Sequence, residues 1–220
     1  QQERVVSQAR DTAGSFCVSL TIRYNNIMQQ RNVLIFIGPQ GSGKGTQAAI
    51  LADREGYHII EMGALLRHEA ESSSAVGAEV RSIITKGDFV PVALTVELIR
   101  NKLATLPKDA NIIFDGFPRS IEQAQALDTI VTVTKAVHID VPREVSVKRI
   151  TGRLICPHGH YYNTFYVKPE KEGLCNVDNL PLEHRADDTP EAVKHRLELY
   201  NEVTTQVLEF YRSQGKLLNV

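Results

Sequence analysis

Residues 38 to 46 read Gly38-Pro39-Gln40-Gly41-Ser42-Gly43-Lys44-Gly45-Thr46. Glycines at this spacing let successive backbone N–H groups turn toward one point, and Lys44 brings a cation to the same place. Placed after a strand and before a helix, whose positive end adds to the field, such a loop cradles the phosphates of a nucleoside triphosphate. The general pattern puts Ser or Thr directly after the lysine, where the hydroxyl meets Mg2+; here Gly45 intervenes before Thr46. A second group of donors stands in Cys156-Pro157-His158 and Cys175-Asn176-Val177-Asp178. Thiolate, imidazole and carboxylate donors in two close pairs suit a tetrahedral structural zinc site made of Cys156, His158, Cys175 and Asp178, with His160 a competing ligand.

The elements that must position these residues are legible as alternation. The runs Val33 to Gly38, Tyr57 to Ile60, Asn111 to Phe114, Ala136 to Ile139 and Lys216 to Val220 are short, apolar and rich in β-branched residues. Such runs mark strands buried on both faces. Helical segments lie between them, so right-handed crossovers build a parallel sheet flanked by helices. The clearest helix starts at Thr189 as N-cap with Pro190 at its first turn, and its apolar stripe runs through Val193, Leu197, Tyr200, Val203, Val207 and Phe210. Asp115-Gly116-Phe117-Pro118-Arg119 follows the run Asn111 to Phe114, which puts Asp115 at a carboxyl end of the sheet, where ligands of open α/β folds bind.

Residues 154–184 break the alternation with turn formers and short β-like pieces, and read as a small inserted subdomain. Residues 1–30 show no sustained period and read as a tail or extension outside the fold, with Met28 a possible natural start and Cys17 inert. The formal net charge of -1 leaves no global basic field for nucleic acid or an anionic membrane, so any phosphate binding is local. Three cysteines, an odd number, argue against a disulfide framework and for a reducing, cytoplasmic setting. No apolar run is long enough to span a membrane.

The variant Gly-x-Gly-Lys-Gly-Thr-Gln, with Asp115 to Arg119 and the residue 154–184 insertion in the same order, resembles the adenylate kinases from about Arg31 to Val220. That resemblance implies a P-loop three-layer α/β fold with a five-stranded parallel sheet, a helical AMP-binding insertion at 61–90 and a β-rich lid at 154–184. The core would then be 31–60, 91–153 and 185–220. It also implies transfer of a phosphoryl group from MgATP to AMP, giving two ADP, by a monomer. A kinase for UMP or CMP and a non-catalytic ATP-binding module are the alternatives.

By the same resemblance Gly38, Gly41, Ser42, Gly43, Lys44, Gly45 and Thr46 bind ATP phosphates, and Asp115 helps hold the water shell of Mg2+. Arg149 stacks on the ATP adenine and Arg153 reaches the phosphates; Lys148 to Arg153 read as helix, so these two share a face one turn apart. Arg119 and Arg67 grip the AMP phosphate, and Gln123 offers its amide to the adenine edge. Gly116, Met62, Phe89 and Val90 line the acceptor pocket. Arg185 and Arg196 clamp the transferring group, oriented by Asp187 and Asp188. Many adenylate kinases carry paired Cys ligands in the lid, which supports structural Zn2+ there. Where they usually read Ser-Thr-Gly-Asp, this chain has Glu61-Met62-Gly63-Ala64.

Overall fold

The computed structural model describes residues 31–220, and the readings made for residues 1–30 lie outside them. The first strand, β1 (Val33–Ile37), is buried along its whole length. Side chains alternate across a strand, so Val33, Ile35 and Ile37 enter one apolar cluster while Leu34 and Phe36 enter another. A strand covered on both faces needs an unbroken apolar run, which is what its sequence supplies.

Around β1 lie β2 (His58–Glu61), β3 (Ile112–Asp115), β4 (Lys135–His138) and, past the smaller unit's hairpin, β7 (Leu217–Asn219). The order is β2-β3-β1-β4-β7 and every pairing is parallel, as the alternation implies. Helix α1 (Lys44–Glu55) brings Ala48 and Leu51 to the cluster of Leu34 and Phe36. Ile99 of α4 (Val92–Ala104) and Ala124 and Leu127 of α5 (Ile121–Asp128) join the cluster of Val33 and Ile35. Burying each large aliphatic side chain in these clusters is worth about 1.5–3 kcal/mol.

Residues 61–90 form α2 (Met62–Glu71) and α3 (Ala75–Lys86). They meet around Ala70, Val80 and Val90. Gly77 makes their approach possible, since a Cβ there would stand 2.3 Å from Ser72 Oγ and 2.6 Å from Glu69 O. Ser74 caps α3 by accepting from the Gly77 N–H.

The last long helix departs from the expected stripe. It begins as α7 (Pro190–Leu199) under a Thr189 cap, passes through one turn of π-helix at Tyr200–Thr204, and continues as α8 (Thr205–Ser213). A π-turn inserts one extra residue and rotates everything after it. Thr204, the last residue of that turn, is buried, as are Val207, Leu208 and Tyr211 beyond it, while Val203 and Phe210 are only half-buried.

By contact the described residues form two compact units: 31–147 with Ala186–Val220, and Lys148–Arg185. In the smaller unit β5 (Arg153–Ile155) and β6 (Tyr161–Asn163) pair antiparallel. Its core is Cys156, Tyr162 and Cys175 with Leu154, Val177 and Leu182 against them. The helix before it, α6 (Arg143–Thr151), ends one residue short of Gly152, so the expected helical face shared by Arg149 and Arg153 does not exist. Gly152 is the reason: Asn163, Thr164 and Phe165 pack over it, and a Cβ would lie 2.5 Å from the Phe165 ring. The Gly152 carbonyl accepts from Thr164 N–H at 2.8 Å, and Arg153 opens β5 instead of extending the helix.

Candidate active site

In the larger unit the loop after β1 is shaped by three glycines. A Cβ at Gly38 would stand 2.2 Å from the Ile139 carbonyl oxygen and 2.8 Å from Ser42 Oγ, so only glycine passes there. Gly41 and Gly43 hold φ of 80° and 100°, in the left-handed region, and Gly43 is the N-cap of α1. Ser42 is buried, Gly45 and Thr46 are exposed on the first turn of α1, and Lys44 begins it. The Lys44 ammonium folds over the loop and donates to the Gly38 and Pro39 carbonyls, each at 2.8 Å.

Across the sheet end from this loop Asp115 closes β3 with its carboxylate against Gly45. A Cβ at residue 45 would lie 3.1 Å from Asp115 Oδ2. A side chain at residue 45 would therefore press on that carboxylate. Burial pushes the Asp115 carboxyl above the usual carboxylate range; Lys44 pulls it back, Glu61 raises it further and Arg119 lowers it.

The turn after Asp115 is built around Arg119. Gly116 holds φ 76°, and its carbonyl accepts from Arg119 Nε at 2.7 Å. The Arg119 N–H donates to Gln123 Oε1 at 2.7 Å. A backbone N–H can only donate, so the Gln123 oxygen must face it and the amide nitrogen is the end left to offer elsewhere. Gln123 is buried on α5, capped by Ser120. Phe89, Val90, Ser120, Gln123, Val203 and Gln206 line a cavity of about 460 Å3 with their neighbours.

On α2, Arg67 Nη2 pairs with Glu61 Oε1 at 3.0 Å, and the bare α-carbon of Gly63 leaves room for its guanidinium. Met62, expected on the acceptor side, packs into the main apolar cluster at 3% exposure. Arg196 on α7 is held on three sides: Asp187 Oδ2 at 3.0 Å, Asp188 Oδ1 at 3.4 Å and the Ile84 carbonyl at 3.1 Å. Asp188 Oδ1 also accepts from Gln40 Nε2 at 3.1 Å, a contact that no local sequence signal reveals.

The smaller unit carries Arg149, Arg153 and Arg185. Arg149 lies 5.6 Å from the Tyr166 ring, and its carbonyl accepts from Asn163 Nδ2 at 2.8 Å. Lys148 sits 5.0 Å over the Phe165 ring. Cys156, His160, Cys175 and Asp178 each offer one donor atom, and those atoms all lie within 4.8 Å of one another. His160 Nδ1 is 3.2 Å from Cys156 Sγ, 3.4 Å from Cys175 Sγ and 3.2 Å from Asp178 Oδ2.

The expected histidine, His158, is outside this group. It reaches Asp178 Oδ2 at 2.9 Å but is 66% exposed at the tip of the turn. Gly159, at φ 85°, redirects the chain so that His160 is the residue that arrives. Backbone N–H groups of His160 and Val177 donate to Cys156 Sγ and Cys175 Sγ, at 3.3 and 3.4 Å, as they would to thiolates. A tetrahedral zinc with bonds of about 2.0–2.3 Å needs donors roughly 3.3–3.8 Å apart, so two sulfurs, a nitrogen and an oxygen at these spacings fit Zn2+.

The family described as "Adenylate kinase" matches residues 36–216. Among curated relatives, the adenylate kinase of Hydrogenobaculum sp. is 38% identical over 194 residues, covering 86% of this chain and 92% of that protein. That of Borrelia garinii subsp. bavariensis is 37% identical over 188 residues, covering 85% and 89%. That of Clostridium tetani is 35% identical over 191 residues, covering 84% and 88%.

Proposed function

Since the chain belongs to the adenylate kinase family, and is a nucleoside monophosphate kinase that moves a phosphoryl group reversibly from MgATP to AMP, we propose how its residues divide that reaction. Phosphoryl transfer asks little covalent chemistry of a protein; it asks for in-line positioning and positive charge around the transferring oxygens. The acceptor is a phosphate oxygen already ionised at neutral pH, so no residue is assigned as nucleophile or general base.

The loop Gly38 to Thr46 holds the ATP phosphates, with the Lys44 ammonium exchanging its loop carbonyls for phosphate oxygens. Asp115 holds the water shell of the Mg2+ that the family uses with ATP. Arg119 and Arg67 take the AMP phosphate, and Gln123 reads the base with its amide nitrogen. Met62 contributes to that pocket only by packing behind it. Arg196, and by family likeness Arg149, Arg153 and Arg185, supply the remaining cations, Arg149 to the ATP adenine. Cys156, His160, Cys175 and Asp178 hold a structural Zn2+, which gives a small loop-rich unit folding free energy that its core cannot. Neither Cys156 nor Cys175 is in a disulfide, which supports a reducing, cytoplasmic setting. Among the described residues no helix is long and apolar enough to cross a membrane.

The observation that carries this reading is the convergence of Lys44 and Asp115 at one end of the sheet, with Gly45 as the gap between them. ADP formation from MgATP with AMP, CMP, UMP or GMP tests it. Preference for AMP that Lys44→Ala abolishes is the expected result. Preference for another acceptor would reassign Gln123, and binding without turnover would overturn the assignment of the cations.

A further inference from the structure

Gln40 belongs to the phosphate loop by sequence, yet its side chain does nothing for the loop. Its Nε2 donates 3.1 Å to Asp188 Oδ1, a residue 148 positions away on the approach to α7. An ionised carboxylate only accepts, so the amide nitrogen must be the end that faces Asp188. The other end, Oε1, is buried with no hydrogen-bond partner among the described residues. A buried acceptor left unmet costs stability, so a residue kept only as filler would have no reason to carry one.

The oxygen that Gln40 holds also accepts from Arg196 Nη1 at 3.4 Å. The second guanidinium nitrogen of Arg196, Nη2, donates to Asp187 Oδ2 and the Ile84 carbonyl. The side chains of Asp188 and Arg196 are 6% and 12% exposed, so this junction is largely dry. Gln40 and Arg196 therefore meet on one atom. Whatever sets the position of the loop sets the carboxylate, and the carboxylate sets one edge of the guanidinium. A neutral amide does this without upsetting the charge balance of the ion pair.

We propose that Gln40 is a positioning residue that couples occupancy of the donor phosphate loop to the placement of Arg196, through Asp188. This rests on the reading of Arg196 as a cation for the transferring phosphoryl group. Filling the loop with triphosphate fixes Gln40, holds Asp188 and leaves Arg196 ready for the acceptor, so donor and acceptor nucleotides bind with positive cooperativity.

Calorimetric titration of AMP into the full chain, with and without a saturating non-hydrolysable ATP analogue, reads this coupling apart from turnover. The wild-type chain is expected to bind AMP at least about fivefold more tightly with the analogue present. Gln40→Met keeps the bulk and removes the donor; its ratio should fall to about one, with analogue affinity unchanged within about twofold. Gln40→Glu sets two carboxylates face to face, so one must take a proton to restore the bridge. Its kcat/KM for AMP, relative to wild type, should rise about tenfold or more as pH falls from about 8.5 to 6, while that of Gln40→Met stays flat.

Undiminished coupling in Gln40→Met, equal loss of analogue and AMP affinity, or a flat Gln40→Glu profile would each overturn the proposal, as would a wild-type chain without coupling. If Gln40→Glu does not fold, the Gln40→Met titration decides alone. A wild-type chain that shows coupling but makes no ADP would overturn the activity reading and leave this link standing.

Discussion

Thr204 donates its hydroxyl to the carbonyl oxygen of Arg119 at 3.0 Å. The donor is the last residue of the π-turn, buried at 5% exposure, four residues beyond Tyr200 and seven beyond Leu197 on the face those residues bury. The acceptor residue is the one whose own N–H fixes Gln123 and whose side chain is tied to Gly116. One hydroxyl thus steadies both the phosphate-gripping arginine and the base-reading amide.

Thr204→Val keeps the shape and removes the donor that faces the Arg119 carbonyl. The cost expected is about 1–3 kcal/mol, or roughly 2–4 °C in Tm per kcal/mol for a chain of this size. KM for AMP should rise several-fold with KM for ATP unchanged, and Thr204→Ser should restore both. A fall in Tm with both KM values at wild type would reduce Thr204 to a packing role.

Gly38→Ala is expected to fail for a steric reason alone. The added methyl would stand 2.2 Å from the Ile139 carbonyl oxygen, which is backbone and cannot swing away. Overpacking of this kind costs about 1–3 kcal/mol or more, and the loop must move to relieve it. Loss of ATP-analogue binding by titration, with a lowered Tm, is the expected outcome. Wild-type affinity would show that the loop has slack there.

The strands, their parallel order and the phosphate loop were readable because each is encoded locally, by an apolar run such as Val33 to Ile37 or by glycines at fixed spacing. What escaped depends on partners distant in sequence. Val203 and Thr204 both lie at helical spacing from Tyr200, and apolar character alone favours Val203, whereas the fold buries Thr204 because its hydroxyl finds the Arg119 carbonyl. Gly152 looked like a tolerated helical glycine until Asn163, Thr164 and Phe165 packed over it. The choice of His160 over His158 follows from the left-handed Gly159 between them. Gln40 meeting Asp188 is a property of the closed fold.

The same turn yields a clean test of the metal. Purified chain should carry about one Zn2+, measured by elemental analysis, and a strong chelator should remove it and lower Tm. His160→Ala or Cys175→Ser should abolish retention. His158→Ala removes only a partner of Asp178, for which a loss of about 10- to 100-fold in affinity is the upper expectation. If His158→Ala abolished retention and His160→Ala did not, the assignment would reverse.

Asp115 should trade stability for chemistry. Its folded-state carboxyl is raised above the unfolded value because burial outweighs the attraction of Lys44 and Arg119. A raised acid binds its proton more tightly when folded, so its contribution to stability is full below the unfolded value of about 3.9 and is lost as pH rises through the folded value. Above the folded value the ionised carboxylate is a standing cost, kept for Mg2+.

Asp115→Asn removes the charge at nearly constant shape. The apo chain should therefore gain in Tm at pH 7, with the gain shrinking as pH falls toward the unfolded value. Turnover with MgATP and AMP should fall on the order of 100-fold, the usual scale for losing one electrostatic group in such a site. Thermal melts of both chains between about pH 4 and 7, without Mg2+, check the sign. A variant less stable than wild type at pH 7 would mean that Lys44 and Arg119 need the carboxylate more than burial penalises it.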